Sequence, residues 1–303
     1  VNRKMRAYIQ LMRPHQWIKN FFIFLPIFFG RQLFNLQIDF LLIFAFFSFS
    51  FLASAIYCFN DLIDANEDKQ HPTKRFRPIA SGLVSKGHAV WLCTLLIAAS
   101  FLTICVPFFF SEHITTEIFF KQLSILGFYF VLNILYSLWL KKVAIIDVFV
   151  IAIGFILRLL LGAITASIEL SQWIVLLTFL LALFLAFAKR RDDVKEYEEN
   201  GKILRKHITL YNSRFLDQVL TILVAVTLVC YIMYCTSPSV VERINSQYLY
   251  LTSIFVLLGM IRYLQITIVM GKSGSPTKVL IHDRFLQFTV TLWIVSYLVI
   301  LYV

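Results

Sequence analysis

Long apolar runs alternate with shorter polar connections along almost the whole chain. An apolar run of about 20 residues forms a helix that crosses the hydrocarbon core of a bilayer, which is about 30 Å thick. The pattern predicts nine transmembrane helices, at residues 17–34, 38–60, 88–110, 118–140, 143–165, 172–190, 215–236, 248–270 and 284–303. We therefore expect an all-α polytopic membrane protein, with residues 1–303 forming one integral-membrane domain.

Two long polar connections, residues 61–87 and 191–214, and a shorter one at 271–283 hold most of the charged side chains. Apolar residues make up 59% of the 303-residue chain. Charged residues make up 15%, against about 25% in a soluble domain. This balance excludes an ordinary water-soluble enzyme and places most of the chain in lipid.

The chain is basic, with 28 Lys and Arg residues against 17 Asp and Glu and a formal net charge of +11. In the nine-helix topology, 23 of the 28 cations fall on the side of the amino terminus and three on the opposite side. Because Lys and Arg are retained in cytoplasmic loops, we expect a cytoplasmic amino terminus. Basic loops facing anionic membrane lipids account for the net charge, so nucleic acid is not expected as a partner.

The first long connection is preceded by Asn60 and contains three carboxylates close together, those of Asp61, Asp64 and Asp68. If the second predicted helix continues past residue 60, these four side chains share a stripe of roughly 100° on its surface. Neighbouring carboxylates repel one another unless a cation neutralises them, and hard oxygen ligands suit Mg²⁺. The pattern favours a magnesium site. The alternative is a solvated helix end, whose acids form surface ion pairs that contribute little.

A basic turn follows the acidic stripe. Pro72 ends the helix, and Lys74, Arg75 and Arg77 come directly after it. Protein-bound Mg²⁺ often uses one or two carboxylates together with substrate phosphates. An acidic face followed by a basic turn predicts a metal–diphosphate site, in which the three cations bind the remaining phosphate oxygens.

The segment NDLIDANEDKQHPTKRFRPIASG, residues 60–82, resembles the first aspartate-rich motif of the UbiA superfamily of intramembrane prenyltransferases. That motif reads NDxxDxxxD, followed by a basic stretch and RPIxSG. The segments RPHQWIKN (13–20) and YSLWLKKVAIIDVFVIAIGFILRLLLGA (136–163) resemble, more narrowly, the decaprenyl-phosphate 5-phosphoribosyltransferase branch. The resemblance covers essentially the whole chain and implies a UbiA-like helical bundle.

The resemblance also implies a chemistry: a Mg²⁺-dependent enzyme that transfers 5-phosphoribose from phosphoribosyl diphosphate to a polyprenyl phosphate. The active site would face the cytoplasm from a bacterial inner membrane, and the product would feed the synthesis of cell-envelope glycans. Catalytic roles are implied for Asp61, Asp64 and Asp68, which with Asn60 would hold the metal. The implied substrate-binding residues are Lys19, Asn20, Lys74, Arg75, Arg77, Tyr136, Lys141, Lys189, Arg190 and Asp193. For Lys19, a side chain that extends from the first predicted helix to the membrane interface is an equally good alternative.

The second long connection departs from the pattern of superfamily members that use prenyl diphosphates. In those members a second motif supplies aspartates before and after the helix end, whereas here residues 183–187 are the apolar Leu-Phe-Leu-Ala-Phe. Lys189 and Arg190 stand where acidic or polar residues are expected, so positive charge replaces part of a metal site. The alternative for this cluster is a solvated helix end with ion pairs such as those around Asp192 and Glu196.

Two ionisable residues fall inside the fifth predicted helix, Asp147 and Arg158. They share a helix face but lie roughly 16 Å apart along the axis, so they cannot pair with each other. Ionisable residues within a membrane normally face the bundle interior and are either functional or paired. Asp147 could line the active-site cavity. Arg158 could serve that site, or bind carbonyl groups or a neighbouring helix.

Two other functions remain open. An aromatic prenyltransferase of quinone or haem biosynthesis would share the first acidic motif, but it should need the complete second motif. An ion-coupled transporter could use Asp147, Arg158 and the loop carboxylates as an ion path. The carboxylates, however, cluster at one predicted membrane surface and not at the midplane, which favours the transferase.

Overall fold

The structure is a computed structural model that describes residues 3–30, 32–33, 35–70, 73–201, 208–271 and 276–302. These residues form helices and connecting turns, with no β-strand among them. The α-helices are α1 (Arg3–Met12), α2 (Leu25–Phe29), α3 (Leu36–Ile63), α4 (Ala65–Gln70), α5 (Lys86–Phe110), α6 (Thr116–Leu138), α7 (Ile146–Ala166), α8 (Gln172–Asn200), α9 (Ser213–Thr236), α10 (Pro238–Ile244), α11 (Ser253–Leu264), α12 (Pro276–His282) and α13 (Arg284–Tyr302). Short 3₁₀ helices span Pro14–Phe24, Lys74–Phe76, Leu140–Lys142, Ile208–Leu210 and Tyr248–Thr252, and a π-helix spans Gln265–Val269.

Eight helices in the described ranges are long and apolar enough to cross a membrane. They correspond to the second through ninth predicted segments, so the all-α membrane architecture is confirmed. The largest difference in length is in α8, which runs to Asn200 and not to residue 190. Its extension carries mixed charges with i, i+4 spacing, such as Lys195 and Glu199 at 3.7 Å, and such pairs support a helix outside lipid.

The first predicted segment, residues 17–34, has a different structure. It forms the 3₁₀ helix Pro14–Phe24 followed by the short helix α2, and neither is among the eight long helices. Pro26 has no N–H group to donate, so a regular hydrogen-bond ladder cannot run through it. A 3₁₀ helix rises about 2.0 Å per residue, so the two helices together can reach about 30 Å. A ninth span and a cytoplasmic amino terminus therefore stay predictions.

The chain divides into two units, and the first comprises residues 1–141 and 154–170. Its best-packed pair is α3 and α5, and α1 lies against α3. A buried apolar cluster joins these elements to the loop that follows α4, through Leu11, Cys58, Ile79, Val84 and Leu92. Because Ile79 and Val84 are buried in this cluster, the basic turn just before them is held beside the polar end of α3.

The second unit comprises residues 142–153 and 171–303. Here α8 packs along α9, and α11 packs along α13. Arg191 of α8 donates to the carbonyl oxygens of Thr267, at 2.8 Å, and Ile268, at 3.4 Å. Both carbonyls belong to the π-helix Gln265–Val269, where the regular α-helical bonding is interrupted. The arginine therefore anchors α8 to an irregular helix end.

Candidate active site

The acidic residues of the first unit lie on successive helical turns, as the sequence predicts. The backbone N–H of Asp64 donates to the carbonyl of Asn60 at 2.9 Å, and that of Asp68 donates to the carbonyl of Asp64 at 2.8 Å. These bonds continue the turn from α3 into α4, although Asp64 itself belongs to neither helix. Asp61, Asp64 and Asp68 therefore form one acidic row at the polar end of α3.

Arginines from two separate segments contact this acidic row. Asp61 is 2% exposed, and its Oδ1 accepts from Arg13 Nη2 at 2.6 Å and from Arg77 Nη1 at 3.0 Å. The same Nη1 of Arg77 lies 2.8 Å from Asp68 Oδ2. Arg77 therefore bridges two carboxylates, and through it the basic turn contacts the acidic row.

A lysine contacts the third carboxylate. Lys141 Nζ lies 2.5 Å from Asp64 Oδ1, and both side chains are partly exposed. Lys141 belongs to the 3₁₀ helix Leu140–Lys142, which follows α6. Tyr136, on the last turns of α6, is half-buried. The structure thus brings Lys141, but not every predicted residue, into contact with the acidic row.

Arg13 is a site residue that the sequence reasoning did not select. Its guanidinium also lies over the Tyr57 ring, 5.2 Å from the centroid, one helical turn before Asp61. Its backbone is left-handed, with φ of 53°, at the junction between α1 and the following 3₁₀ helix. Such conformations persist in non-glycine residues where surrounding structure imposes them, often at functional sites. The sequence feature that could have identified Arg13 is its position as the first residue of the segment RPHQWIKN.

The other residues of the basic turn are less closely engaged. Arg75 is exposed, with its guanidinium 4.8 Å from the centroid of the Phe76 ring. Lys74 is half-buried and acts electrostatically on Asp68. Burial raises the pKa of the Asp68 carboxyl above its usual value, and Arg77 and Lys74 oppose that rise. The cations therefore only partly offset the cost of placing an ionised carboxylate there.

The donor chemistry of the acidic row fits Mg²⁺, because three carboxylates and the Asn60 amide supply hard oxygen ligands. Within the described ranges, no three acidic, His or Cys side chains are arranged together as metal ligands. The reason is visible at each carboxylate, since Asp61, Asp64 and Asp68 point to arginine or lysine partners. The metal-ligand assignment stays a prediction.

Asn20 is 1% exposed and is fully engaged by protein groups. Its side-chain amide donates to Ser50 Oγ at 2.8 Å, and its Oδ1 accepts from Arg158 Nε at 2.7 Å. Arg158 also donates to the Gly154 carbonyl at 2.6 Å and to Tyr129 Oη at 3.2 Å. Arg158 therefore binds a carbonyl and neighbouring helices, as one of its two interpretations predicts. Lys19, beside Asn20, is half-buried.

In the second unit, Arg190 and Asp147 form an ion pair that is shielded from solvent. Arg190 Nε lies 2.6 Å from Asp147 Oδ2, and the two side chains are 1% and 0% exposed. Arg190 Nη1 also approaches Asp193 Oδ2 at 3.5 Å, while Lys189 is exposed. A wholly solvated helix end is therefore wrong for this cluster, because the arginine turns inward to meet a carboxylate of α7.

The segment just before Asp147 has an unusual backbone. Ile145 has a φ of 69°, which a β-branched residue rarely adopts, and its N–H donates to Tyr211 Oη at 2.5 Å. Burial raises the pKa of Tyr211, and the hydrogen bond from Ile145 opposes that rise. The tyrosine thus stabilises the strained turn from which α7 presents Asp147.

Comparison with known proteins gives a family match over most of the chain. The model of the UbiA prenyltransferase family matches residues 21–301. A solved structure of a UbiA homolog from Archaeoglobus fulgidus bound to GPP and Mg²⁺ has a TM-score of 0.68 and 19% sequence identity. The match covers 98% of this chain and 100% of that one. At this identity the likeness shows the fold alone.

Two curated relatives that match over most of the chain share one name. The chain is 30% identical over 297 residues to the decaprenyl-phosphate phosphoribosyltransferase of Corynebacterium glutamicum, covering 97% of this chain and 86% of that protein. It is 30% identical over 296 residues to the enzyme of the same name from Mycolicibacterium smegmatis, covering 94% of this chain and 89% of that protein.

Proposed function

Because the chain belongs to the UbiA prenyltransferase family, a family of membrane transferases, we propose that it transfers 5-phosphoribose to a lipid. The donor is phosphoribosyl diphosphate, the acceptor is a polyprenyl phosphate, and diphosphate leaves. The curated relatives that share its length support this donor and acceptor through their name. We also propose that both units belong to one transferase domain, since a single family model extends from residue 21 to residue 301.

The observation that carries the proposal is the pairing of acids and cations at the polar end of α3. Three carboxylates lie there in one row, and Arg13, Arg77 and Lys141 approach them from three different segments. A metal–diphosphate group needs both kinds of partner, because carboxylates bind the metal and cations bind the phosphate oxygens. A site for a neutral ligand would not need three carboxylates and three cations close together.

Asp61, Asp64 and Asp68, with Asn60, would hold Mg²⁺, which when bound neutralises charge on a leaving diphosphate. Arg77 and Lys141, which contact the acidic row, would bind phosphate oxygens, and Lys74 and Arg75 belong to the same basic turn as Arg77. Arg77 is suited to this role, because its planar guanidinium can contact two oxygens at once. These cations stabilise the negative charge that develops as diphosphate leaves.

The acceptor phosphate is already ionised at neutral pH, so its attack on the ribose needs no general base. The difficulty is to hold two anions close together, and the basic surplus around the acidic row addresses it. Direct attack from the face opposite the leaving group inverts the anomeric carbon. Asp61, Asp64 and Asp68 therefore act through the leaving group and not by removing a proton.

The second unit supports a departure from prenyl-diphosphate chemistry. The stretch where a second acidic motif would begin is apolar, and Leu183, Phe184 and Phe187 are buried. Its charged residues begin only with Lys189 and Arg190, which we propose as substrate-binding residues together with Asp193. The buried partner Asp147 would fix the orientation of Arg190.

The lipid substrate explains the membrane location. Each CH₂ group of a polyprenyl chain gains about 0.8 kcal/mol from burial in lipid, so the acceptor stays in the bilayer. We propose the bacterial inner membrane, with the active site facing the cytoplasm, where phosphoribosyl diphosphate is available. The product would then serve as a precursor for cell-envelope glycans.

A transfer assay with the purified full-length protein tests the proposal. One reaction contains Mg²⁺, a polyprenyl phosphate and phosphoribosyl diphosphate labelled in the ribose, and we expect label in the lipid phase. A second contains Mg²⁺, a prenyl diphosphate and labelled 4-hydroxybenzoate. Label entering the lipid phase only in the second reaction would establish an aromatic prenyltransferase and refute the proposal.

A further inference from the structure

Two cations inside the first unit have no anionic partner among the described residues. Arg158 is 5% exposed, and its three hydrogen bonds go to the neutral groups of Asn20, Gly154 and Tyr129. Lys19 is half-buried and forms neither a hydrogen bond nor an ion pair in the part of the chain that the structure describes. Ionisable groups in a membrane protein are costly and are normally paired, so an uncompensated pair of cations needs an explanation.

Neighbouring groups do not supply the missing negative charge. The Arg158 guanidinium lies over the rings of Phe49, Tyr129 and Phe155, at 4.6, 5.3 and 5.3 Å from their centroids. Aromatic faces attract a cation but do not neutralise it. The charges that act on Lys19 are Arg158 and Arg13, which are also cations. Lys19 and Arg158 therefore create a positive region that an anion would stabilise.

Arg158 retains the capacity to bind such an anion. A guanidinium carries five N–H donors, and three of them are used in the bonds to Asn20, Gly154 and Tyr129. Two donors remain for a ligand. The bonds to fixed partners hold the guanidinium plane in place, so a ligand would meet a preorganised group.

The 3₁₀ helix that carries Lys19 also has an apolar face on the adjacent side, with Ile18 and Phe21 exposed and Phe24 half-buried. Ile18, Phe21 and Phe24 follow one another at intervals of three along the 3₁₀ helix Pro14–Phe24, so they lie on one face of it. Phe21 is 59% exposed, and its ring centroid lies 5.3 Å from that of Phe46 on α3. Phe24 also contacts Phe46, at 5.9 Å. Cations on the side of a helix adjacent to its apolar face fit a ligand with an anionic head and a hydrocarbon chain.

We propose that Lys19 and Arg158 bind the phosphate of the acceptor lipid, and that the face formed by Ile18, Phe21 and Phe24 contacts the start of its chain. This inference rests on the proposed function, because it assigns the acceptor of that reaction to a second group of residues. The donor diphosphate then belongs to the acidic row. Arg13, which contacts Asp61 and acts electrostatically on Lys19, would serve both groups.

A binding measurement without donor and without metal tests the inference separately from catalysis. Farnesyl phosphate is titrated into the purified full-length protein in lipid nanodiscs, with farnesol and inorganic phosphate as comparison ligands. We expect farnesyl phosphate to bind at least about tenfold more tightly than either, because a charged head and a chain are both recognised. If farnesol binds as tightly as farnesyl phosphate, the phosphate is not recognised and the inference is wrong. If inorganic phosphate binds as tightly as farnesyl phosphate, the site does not recognise a lipid and the assignment to the acceptor is wrong.

Lys19→Gln is the decisive variant, because Lys19 makes no hydrogen bond that the substitution could break. We expect about tenfold weaker binding of farnesyl phosphate and unchanged binding of farnesol. Lys86→Gln is the matched control, since Lys86 is an exposed cation at the start of α5. Unchanged binding of farnesyl phosphate by Lys19→Gln would overturn the inference.

Arg158 needs two variants, because it also connects helices. Arg158→Lys keeps the charge and Arg158→Gln removes it, and thermal unfolding with farnesol binding checks that each variant is folded. Among folded variants, we expect the glutamine variant to lose more farnesyl phosphate affinity than the lysine variant, and equal losses would overturn the role of charge. Charge-dependent binding without phosphoribosyl transfer would leave this site in place and refute the proposed function instead.

Discussion

The polar ends of α3 and α8 both pair arginine with aspartate, but in different surroundings. At the end of α3, Arg13 and Arg77 are about a quarter exposed while Asp61 is buried, so the cations lie between solvent and the carboxylate. At the end of α8, both Arg190 and Asp147 are almost wholly buried. The first arrangement leaves charged groups accessible to a ligand, whereas the second fixes one helix against another and holds Arg190 in one orientation. The same two residue types thus form an accessible cluster in one unit and a rigid pair in the other.

The largest expected effect is on stability, in the second unit. Asp147→Asn removes the buried carboxylate of the Arg190 ion pair and leaves only the more distant Asp193; breaking a buried pair typically costs about 3–5 kcal/mol. We expect a marked fall in the thermal unfolding midpoint. Asp283→Asn is the matched control, because Asp283 pairs with Arg262 at 2.7 Å in a partly exposed position and should cost less. Equal shifts for the two variants would contradict the contrast between buried and accessible pairs.

The next effect is on catalysis, in the first unit. Asp64→Asn removes a carboxylate from the acidic row, and we expect phosphoribosyl transfer to fall by about 100-fold or more with little change in stability. Asp39→Asn, in the first turn of α3 and far from the acidic row, is the matched control and should keep full activity. Transfer by Asp64→Asn within about tenfold of the unchanged protein would refute the metal role.

A smaller effect separates the residues of the basic turn. Arg77→Gln removes the guanidinium that bridges Asp61 and Asp68, and we expect the KM for phosphoribosyl diphosphate to rise by about tenfold. Arg75→Gln should raise it less, because Arg75 is exposed and lies over Phe76. Initial rates measured over a range of phosphoribosyl diphosphate concentrations give the KM of each variant. A larger rise in KM for Arg75→Gln than for Arg77→Gln would contradict this order and would mean that the basic turn changes conformation when the donor binds.

The smallest effect concerns the strained turn before α7. Tyr211→Phe removes the hydroxyl that accepts from the Ile145 N–H, and we expect a loss of about 1 kcal/mol of unfolding free energy. Tyr248→Phe, an exposed tyrosine of the same unit, is the control and should change little. If both variants unfold alike, the turn is held by its backbone and not by Tyr211.

The membrane architecture was largely readable from the sequence, because the length of an apolar run is a local property. Eight of the nine predicted segments are long helices in the structure, and the acidic row lies on successive turns at the end of α3. The exception is the first segment, where Pro14 and Pro26 lead to a 3₁₀ helix and a short α-helix. Apolar content alone does not distinguish these geometries.

The candidate site was readable in part. The segment from Asn60 to Arg77 predicts a metal–diphosphate site, because neighbouring ionised carboxylates repel one another unless a cation neutralises them. Arg13 was missed because nothing local connects it with an aspartate 48 positions later. The role of Asn20 was also hidden, because its bonds to Ser50 and Arg158 depend on how the helices pack.

The sequence by itself therefore determined the membrane character of the chain, eight of its spans, its family resemblance and the acidic and basic residues of the first motif. Only the tertiary structure decided which charges meet. Lys141 reaches Asp64 across 77 positions, and Arg190 reaches Asp147 across 43. An apolar run or a helical stripe depends on neighbours in the chain, whereas an ion pair depends on helix packing that brings distant positions together.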